Sequence, residues 1–228
     1  MCGRYTYFPG EFSDLRLTWN VDEVFGLKPR YNIAPSQPAP VIVHANRKRT
    51  LELFRWGLIP SGAKDPAIGN QMINARAETL AEKPSFKRLL GKRRCLVLAD
   101  GFYEWRKEGK GKVPMRFKLK SGEPFTFAGL WDSWKQPDGS LLRTYTIVTT
   151  EPNDVLRPIH NRMPVMLSND DAQKWLAVDN EIAHALTLLK PYPPEKMEGY
   201  DVSILVNNPR NDSPECVRPI SFTYKSPA

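Results

Sequence analysis

Cysteine occupies position 2, directly after the opening methionine, in the run Met1-Cys2-Gly3-Arg4-Tyr5. Loss of Met1 would leave a residue carrying an α-amine and a thiol on adjacent carbons. Such an amine titrates near roughly 7.7–8.0, so part of it is neutral at pH 7 and can attack an aldehyde to give a Schiff base. The adjacent thiol can then add to the same carbon and close a five-membered thiazolidine. Three other clusters carry groups suited to assisting that chemistry. Asn74, in Ile73-Asn74-Ala75-Arg76-Ala77-Glu78-Thr79, offers a carboxamide donor and acceptor, and Arg76 beside it offers a fork for phosphate. Glu104, in Gly101-Phe102-Tyr103-Glu104-Trp105, lies among aromatic residues that can desolvate it and lift its pKa into acid/base range. His160, in Ile159-His160-Asn161-Arg162-Met163-Pro164, titrates near neutrality. Taken singly, each has a plain structural alternative: an accidental second residue, an asparagine turn, a surface carboxylate, a capping imidazole. His44, in a strand pattern, and His184, on a helical pattern, suggest no site.

The elements that must position these groups are mainly strands. Runs rich in β-branched and aromatic residues predict strands at 40–45, 50–56, 94–100, 114–120, 124–131, 143–150 and 200–206. Helical signals are fewer. Residues 11–19 predict a short helix. Ser168 stands as an N-cap before Asp171, Ala172, Trp175 and Leu176, and 180–190 carries an apolar face that stops before Pro191. The 21 prolines and 14 glycines punctuate the 228 residues evenly, with no linker or repeat. The expectation is one α+β domain over 1–228, a twisted sheet or partly closed β-barrel with peripheral helices.

Charge narrows the partners. Residues 1–120 hold 23 lysines and arginines against 11 acids, whereas 121–228 hold 10 against 14. That asymmetry points to a basic face for a polyanion, most simply nucleic acid, with the densest stretch at Lys83, Lys87, Arg88, Lys92, Arg93 and Arg94. A solvated lysine-rich surface is the competing reading. No apolar run approaches a membrane span and no secretory signal opens the chain. Three scattered cysteines, Cys2, Cys95 and Cys216, form neither a disulfide framework nor a metal motif. A cytoplasmic protein is expected, with Cys95 a buried inert thiol.

Taken in order, the segments MCGRY at 1–5, RYNIAPSQ at 30–37, RWGLIPS at 55–61, INARAET at 73–79, FKRLLGKRRCLVLADGFYEW at 86–105, TIVTTEPN at 146–153, IHNRMPVML at 159–167 and VNNPRNDSPEC at 206–216 closely resemble the SOS-response-associated peptidase (SRAP) family. The resemblance runs across nearly the whole chain. It implies a sensor of abasic sites in single-stranded DNA, linked to the Cys2 amine and thiol as a thiazolidine once Met1 has gone. It further implies that Asn74 positions the reacting terminus, that Glu104 and His160 move protons, and that Arg76 and Arg162 bind flanking phosphates with Arg4 as a third contact. Pro35 and Trp56 would stack on bases or wedge the strand, although Trp56 reads equally well as core. An autoproteolytic step and a lyase activity through the Schiff base are implied too. No cofactor or metal is called for, and a monomer is expected, associated with the nucleoid when bound to DNA. Gly62 departs from the family pattern, in which an aromatic residue follows the serine of the WGLIPS segment, so base stacking there should be weaker. A cysteine-nucleophile peptidase acting in trans and a non-catalytic single-strand-binding module remain the alternatives.

Overall fold

The computed structural model describes residues 2–8, 21, 27–45, 48–177 and 181–220. The predicted helix at 11–19 lies outside them. The strand prediction holds in outline, and the strands close further than expected. Five of them form a complete barrel: β3 (Pro38–Ala45), β4 (Lys48–Trp56), β6 (Arg94–Ala99), β9 (Phe125–Lys135) and β10 (Leu141–Thr150). The order runs β10–β4–β3–β6–β9, and β9 pairs back onto β10. Closure depends on β9 changing partners midway. Its first half pairs with β6 from Phe125 to Leu130, and its second half with β10 from Gly129 onward. Gly129 belongs to both ladders. A Cβ there would sit 2.8 Å from Cys95 Sγ and 3.0 Å from Val97, so only glycine lets the strands approach at that corner.

A second, antiparallel sheet packs alongside. It comprises β1 (Tyr5–Tyr7), β2 (Arg30–Ile33), β7 (Gly101–Glu108), β8 (Gly111–Leu119) and β13 (Met197–Asp201), in the order β13–β8–β7–β1–β2. β6 is buried along its whole length because helix α2 (Asn169–Leu176) covers it, with Trp175 Nε1 donating to Cys95 O at 3.0 Å. The Ser168 cap forms as predicted, its hydroxyl accepting from Asp171 N. α1 (Pro84–Leu90) and α3 (Ile182–Thr187) are shorter, and α3 ends before the predicted limit at 190. The strand predicted at 200–206 is a correction. Pairing with β8 stops at Asp201, and Ile204–Asn207 is a 3₁₀ turn begun by the Ser203 side chain. β7 was not predicted as a strand, since both its faces start buried and no polar alternation marks it.

Short additions on β10 carry the remaining candidate residues. β5 (Asn74–Arg76) pairs in parallel with it, Ile147 opposite Asn74 and Thr149 opposite Arg76. β11 (Met163–Pro164) pairs antiparallel with its end, and β12 (Met166–Leu167) lies on β9.

Candidate active site

β1 brings the start of the chain to Glu104. Tyr5 pairs with Phe102 and Thr6 with Gly101, and Tyr103 N donates to Arg4 O at 2.9 Å. Continuing that antiparallel register carries Gly3 and Cys2 along Glu104. On the other side, Asn74 Nδ2 donates to Cys2 O at 2.8 Å, fixing the residue's backbone, while Asn74 Oδ1 is buried with no partner among the described residues. Cys2 itself is fully buried. Burial pushes its thiol far up, and the negative charge of Glu104 adds to the effect, so the sulfur is protonated at neutral pH.

Glu104 is buried, and its desolvation raises the carboxyl to about 7 against the opposing pull of the positive amino terminus. A carboxyl in that range exchanges protons readily in either direction at physiological pH. His160 ends a turn held by Asn153, whose Oδ1 accepts from Leu156 N while its Nδ2 donates to Tyr192 O at 2.7 Å. Partial burial lowers the imidazole pKa, so His160 is mainly neutral at pH 7. Its Nδ1 lies 3.0 Å from Arg162 N and 3.2 Å from Arg162 O. A neutral ring can accept from that N–H and a charged ring can donate to that carbonyl, so both protonation states find a partner without a ring flip.

The basic residues divide. Arg76 is exposed at the end of β5. Arg162 is held within the protein: Nη1 and Nη2 donate to the two Glu78 oxygens at 2.8 and 2.9 Å, and Nη2 also donates to Thr149 O at 2.6 Å. Arg4 lies over the Trp105 ring, and its Nη1 donates to Asn32 Oδ1 and Val206 O, both at 2.7 Å. Buried Asn32 in turn donates to three carbonyls of the 206–211 loop. Arg4 is therefore tied into a strut between β1 and that loop. In the 83–94 stretch the three arginines are spent on structure, whereas Lys83, Lys87 and Lys92 are exposed. Arg94 is buried against the carbonyls of Leu90, Trp175 and Ala177, Arg88 pairs with Asp132, and Arg93 stacks on Trp131.

Of two further candidate DNA contacts, one takes a structural place and the other stays partly exposed. Trp56 is fully buried against Tyr5, and its Nε1 donates to Ile73 O at 2.8 Å, which anchors the residue preceding Asn74. Its ring has no exposed face for a base, so the core reading is the one the structure adopts. Pro35 is half-buried in the Ala34–Gln37 turn, and Ser36 takes the left-handed conformation there (φ 71°). The contacts of that turn run to Arg55, Trp56 and Asn70. Gly62 is exposed, with open space where a Cβ would point. Sequence reasoning did not single out Glu78, Asn32 or Thr149. Their one signal was membership of the segments RYNIAPSQ, INARAET and TIVTTEPN. Among the described residues, no cluster of three or more His, Cys, Asp or Glu is arranged to hold a metal ion.

Known proteins are similar to this chain in sequence and in fold. The family model described as SOS response associated peptidase (SRAP) matches residues 1–209. The chain is 48% identical over 222 residues to abasic site processing protein YoqW of Bacillus subtilis (strain 168), covering 95% of this chain and 99% of that protein. It is 33% identical over 238 residues to abasic site processing protein HMCES of Xenopus tropicalis, covering 91% of this chain and 71% of that protein. A crystal structure of a protein from Bacteroides thetaiotaomicron has the same fold, with a TM-score of 0.85 and 28% identity, covering 96% of this chain and 100% of that one. With a family model spanning residues 1–209 and relatives at nearly half identity over almost its full length, this chain belongs to the SOS response associated peptidase (SRAP) family.

Proposed function

We propose that this protein captures abasic sites in single-stranded DNA by forming a thiazolidine between the ring-opened sugar aldehyde and Cys2 after Met1 is removed. The observation that carries the reading is the convergence on Cys2 of Asn74, which grips its carbonyl, and Glu104, whose charge acts on its thiol. The names of the relatives YoqW and HMCES, abasic site processing proteins, support the substrate.

The chemistry needs protons moved three times. The neutral Cys2 amine bonds to the aldehyde carbon, and the oxygen takes up a proton to give a carbinolamine. That hydroxyl leaves as water with a second proton, producing the imine. The sulfur then bonds to the imine carbon while its proton passes by way of a base to the nitrogen, which ends as a secondary amine; the net products are thiazolidine and water. The buried thiol is a poor acid, so the last step needs a base close by. Glu104, with a pKa of about 7, can give a proton to the departing hydroxyl and later take one from the sulfur. His160 serves ring opening of the sugar and reversal, using whichever partner of Arg162 its charge state requires. Arg76 meets a flanking phosphate. The same imine gives access to lyase chemistry by β-elimination, and self-cleavage before Cys2 exposes the amine.

The test is incubation of Met1-processed protein with single-stranded DNA carrying one abasic site, followed by a denaturing gel. A heat-stable adduct is expected from wild type and none from Cys2→Ala. Cys2→Ser should give only a borohydride-trappable species, since its amine can form the imine but no thiazolidine. Persistence of the heat-stable adduct in Cys2→Ala would refute the proposal.

A further inference from the structure

Arg162 is held more firmly than an exposed arginine needs to be. Its side chain is 14% exposed, and three of its N–H groups are committed to Glu78 and Thr149. Its Nε is buried with no partner among the described residues. Glu78 lies in the 3₁₀ turn Ala77–Thr79, directly after β5, whereas Arg162 lies directly before β11. Those two strands flank β10, so the Glu78–Arg162 fork ties one arm to the other across it. One arm carries Asn74. The other carries His160, whose Nδ1 rests 3.0 Å from the Arg162 backbone N–H.

Affinity for DNA does not explain a carboxylate here. Glu78 is half-exposed, and its pKa is lowered chiefly by the hydrogen bonds from Arg162, with Arg76 adding a Coulombic contribution, so it is anionic at neutral pH. An anion beside the two arginines of a polyanion site repels the ligand and occupies the end of the fork that a phosphate would use. Its benefit must be geometric.

We propose that Glu78 is a positioning residue: its two-oxygen grip on Arg162 sets the His160 arm against the Asn74 arm, so that the proton-handling imidazole meets the group held at Cys2. The proposal rests on the covalent-capture reading above. It predicts a separation of effects. Removing the charge of Glu78 slows capture without weakening DNA binding, because a repulsive charge is lost while the alignment of His160 relaxes.

The experiment uses the Met1-processed full-length chain as wild type, Glu78→Gln, Glu78→Ala, Arg162→Ala and the Glu78→Gln/Arg162→Ala double variant. Affinity is measured on undamaged single-stranded DNA, and single-turnover capture on saturating abasic DNA. Misplacing a catalytic group by about 1 Å costs up to 10²-fold in rate, so a partial relaxation in Glu78→Gln should slow capture about tenfold. Its affinity should be equal to wild type or tighter. In the Arg162→Ala background, Glu78→Gln should cost nothing further, since there is no fork left to break. A wild-type capture rate in Glu78→Gln, a loss confined to affinity, or full effects that multiply in the double variant would each overturn the proposal. Should wild type fail to cross-link, the capture reading itself falls. The ¹⁵N shifts of the His160 ring then decide on Glu78: they should move in Glu78→Gln if the fork fixes the imidazole, and unchanged shifts would refute that.

Discussion

Glu104→Gln should change the pH dependence of stability in a calculable way. In the folded chain the carboxyl titrates near 7 because it is buried, whereas its ordinary value is 4.5. Between those limits the native state holds a proton that the unfolded chain has released, so stability falls as pH rises. The stability is fully present below pH 4.5 and is lost as pH climbs through about 7. At about 1.4 kcal/mol per pH unit, that interval corresponds to a loss of about 3 kcal/mol. Glutamine has nearly the same shape and cannot ionise, so the variant lacks this slope, and the other titrations it alters are those of the amino terminus and Cys2, which interact with Glu104. Urea unfolding of wild type and Glu104→Gln at half-unit steps from pH 4.5 to 8.5 gives the difference directly. The stability of the variant relative to wild type should rise by about 3 kcal/mol across the range, with most of the change between pH 5 and 7. The same substitution should slow capture by roughly 10²–10⁴-fold, the usual contribution of a general acid or base. A difference curve flat in pH would refute the desolvated carboxyl, and with it the argument that Glu104 is matched to proton transfer at neutrality.

Other substitutions separate the remaining roles. Arg76→Ala should leave folding intact and lower the salt slope of single-strand binding by about 0.7, the value for one phosphate contact; an unchanged slope in affinity measurements from 50 to 300 mM salt, an arbitrary range of about sixfold, would remove Arg76 from the interface. Gly62→Trp meets open space and no backbone strain, so melting should be unaffected, while stacking on one base, at roughly 1–3 kcal/mol, should tighten single-strand affinity at least fivefold. Trp56→Phe keeps an aromatic ring in the core but removes one of the two donors to Ile73 O, leaving the Ile147 N–H, and should cost roughly 1 kcal/mol in denaturant unfolding. It should also slow capture, because Ile73 precedes the asparagine that grips Cys2.

The parts legible in the sequence were those set by local chemistry. β-branched and aromatic runs marked the barrel strands, Ser168 marked its helix, and the position of Cys2 marked it as a candidate before any fold was known. What escaped depends on distant partners. β5 is three residues long and exists because β10 offers it a parallel edge, so nothing within Asn74–Arg76 identifies it as a strand. β7 was hidden because its buried start lacks the polar alternation that identifies a half-exposed strand. Arg4 and Trp56 resemble ligand contacts by residue type. Their partners, Asn32 and Val206 for one and Ile73 for the other, are settled only when remote segments meet. The basic run at 83–94 divides in the same way, since its arginines find carbonyls, a carboxylate and an indole in the fold while Lys83, Lys87 and Lys92 stay exposed.

The placement of the reactive groups explains why one of them needs a strap. Asn74 on β5 and Glu104 on β7 are held by ladders of backbone hydrogen bonds, and Cys2, just ahead of β1, is held through its carbonyl by the Asn74 side chain. A buried carboxyl opposes folding once it ionises, whereas the neutral thiol packs as a small apolar group, so it is Glu104 that needs rigid neighbours to stay desolvated. His160 alone stands on a connecting segment between strands. Its segment is fixed at one end by Asn153, through hydrogen bonds to Leu156 and Tyr192, and at the other by Arg162 in the grip of Glu78. If capture requires the imidazole and the carboxyl to serve the same carbon, the loop must be nearly as fixed as the strands. Asn153 and Glu78 are two points at which that requirement is met.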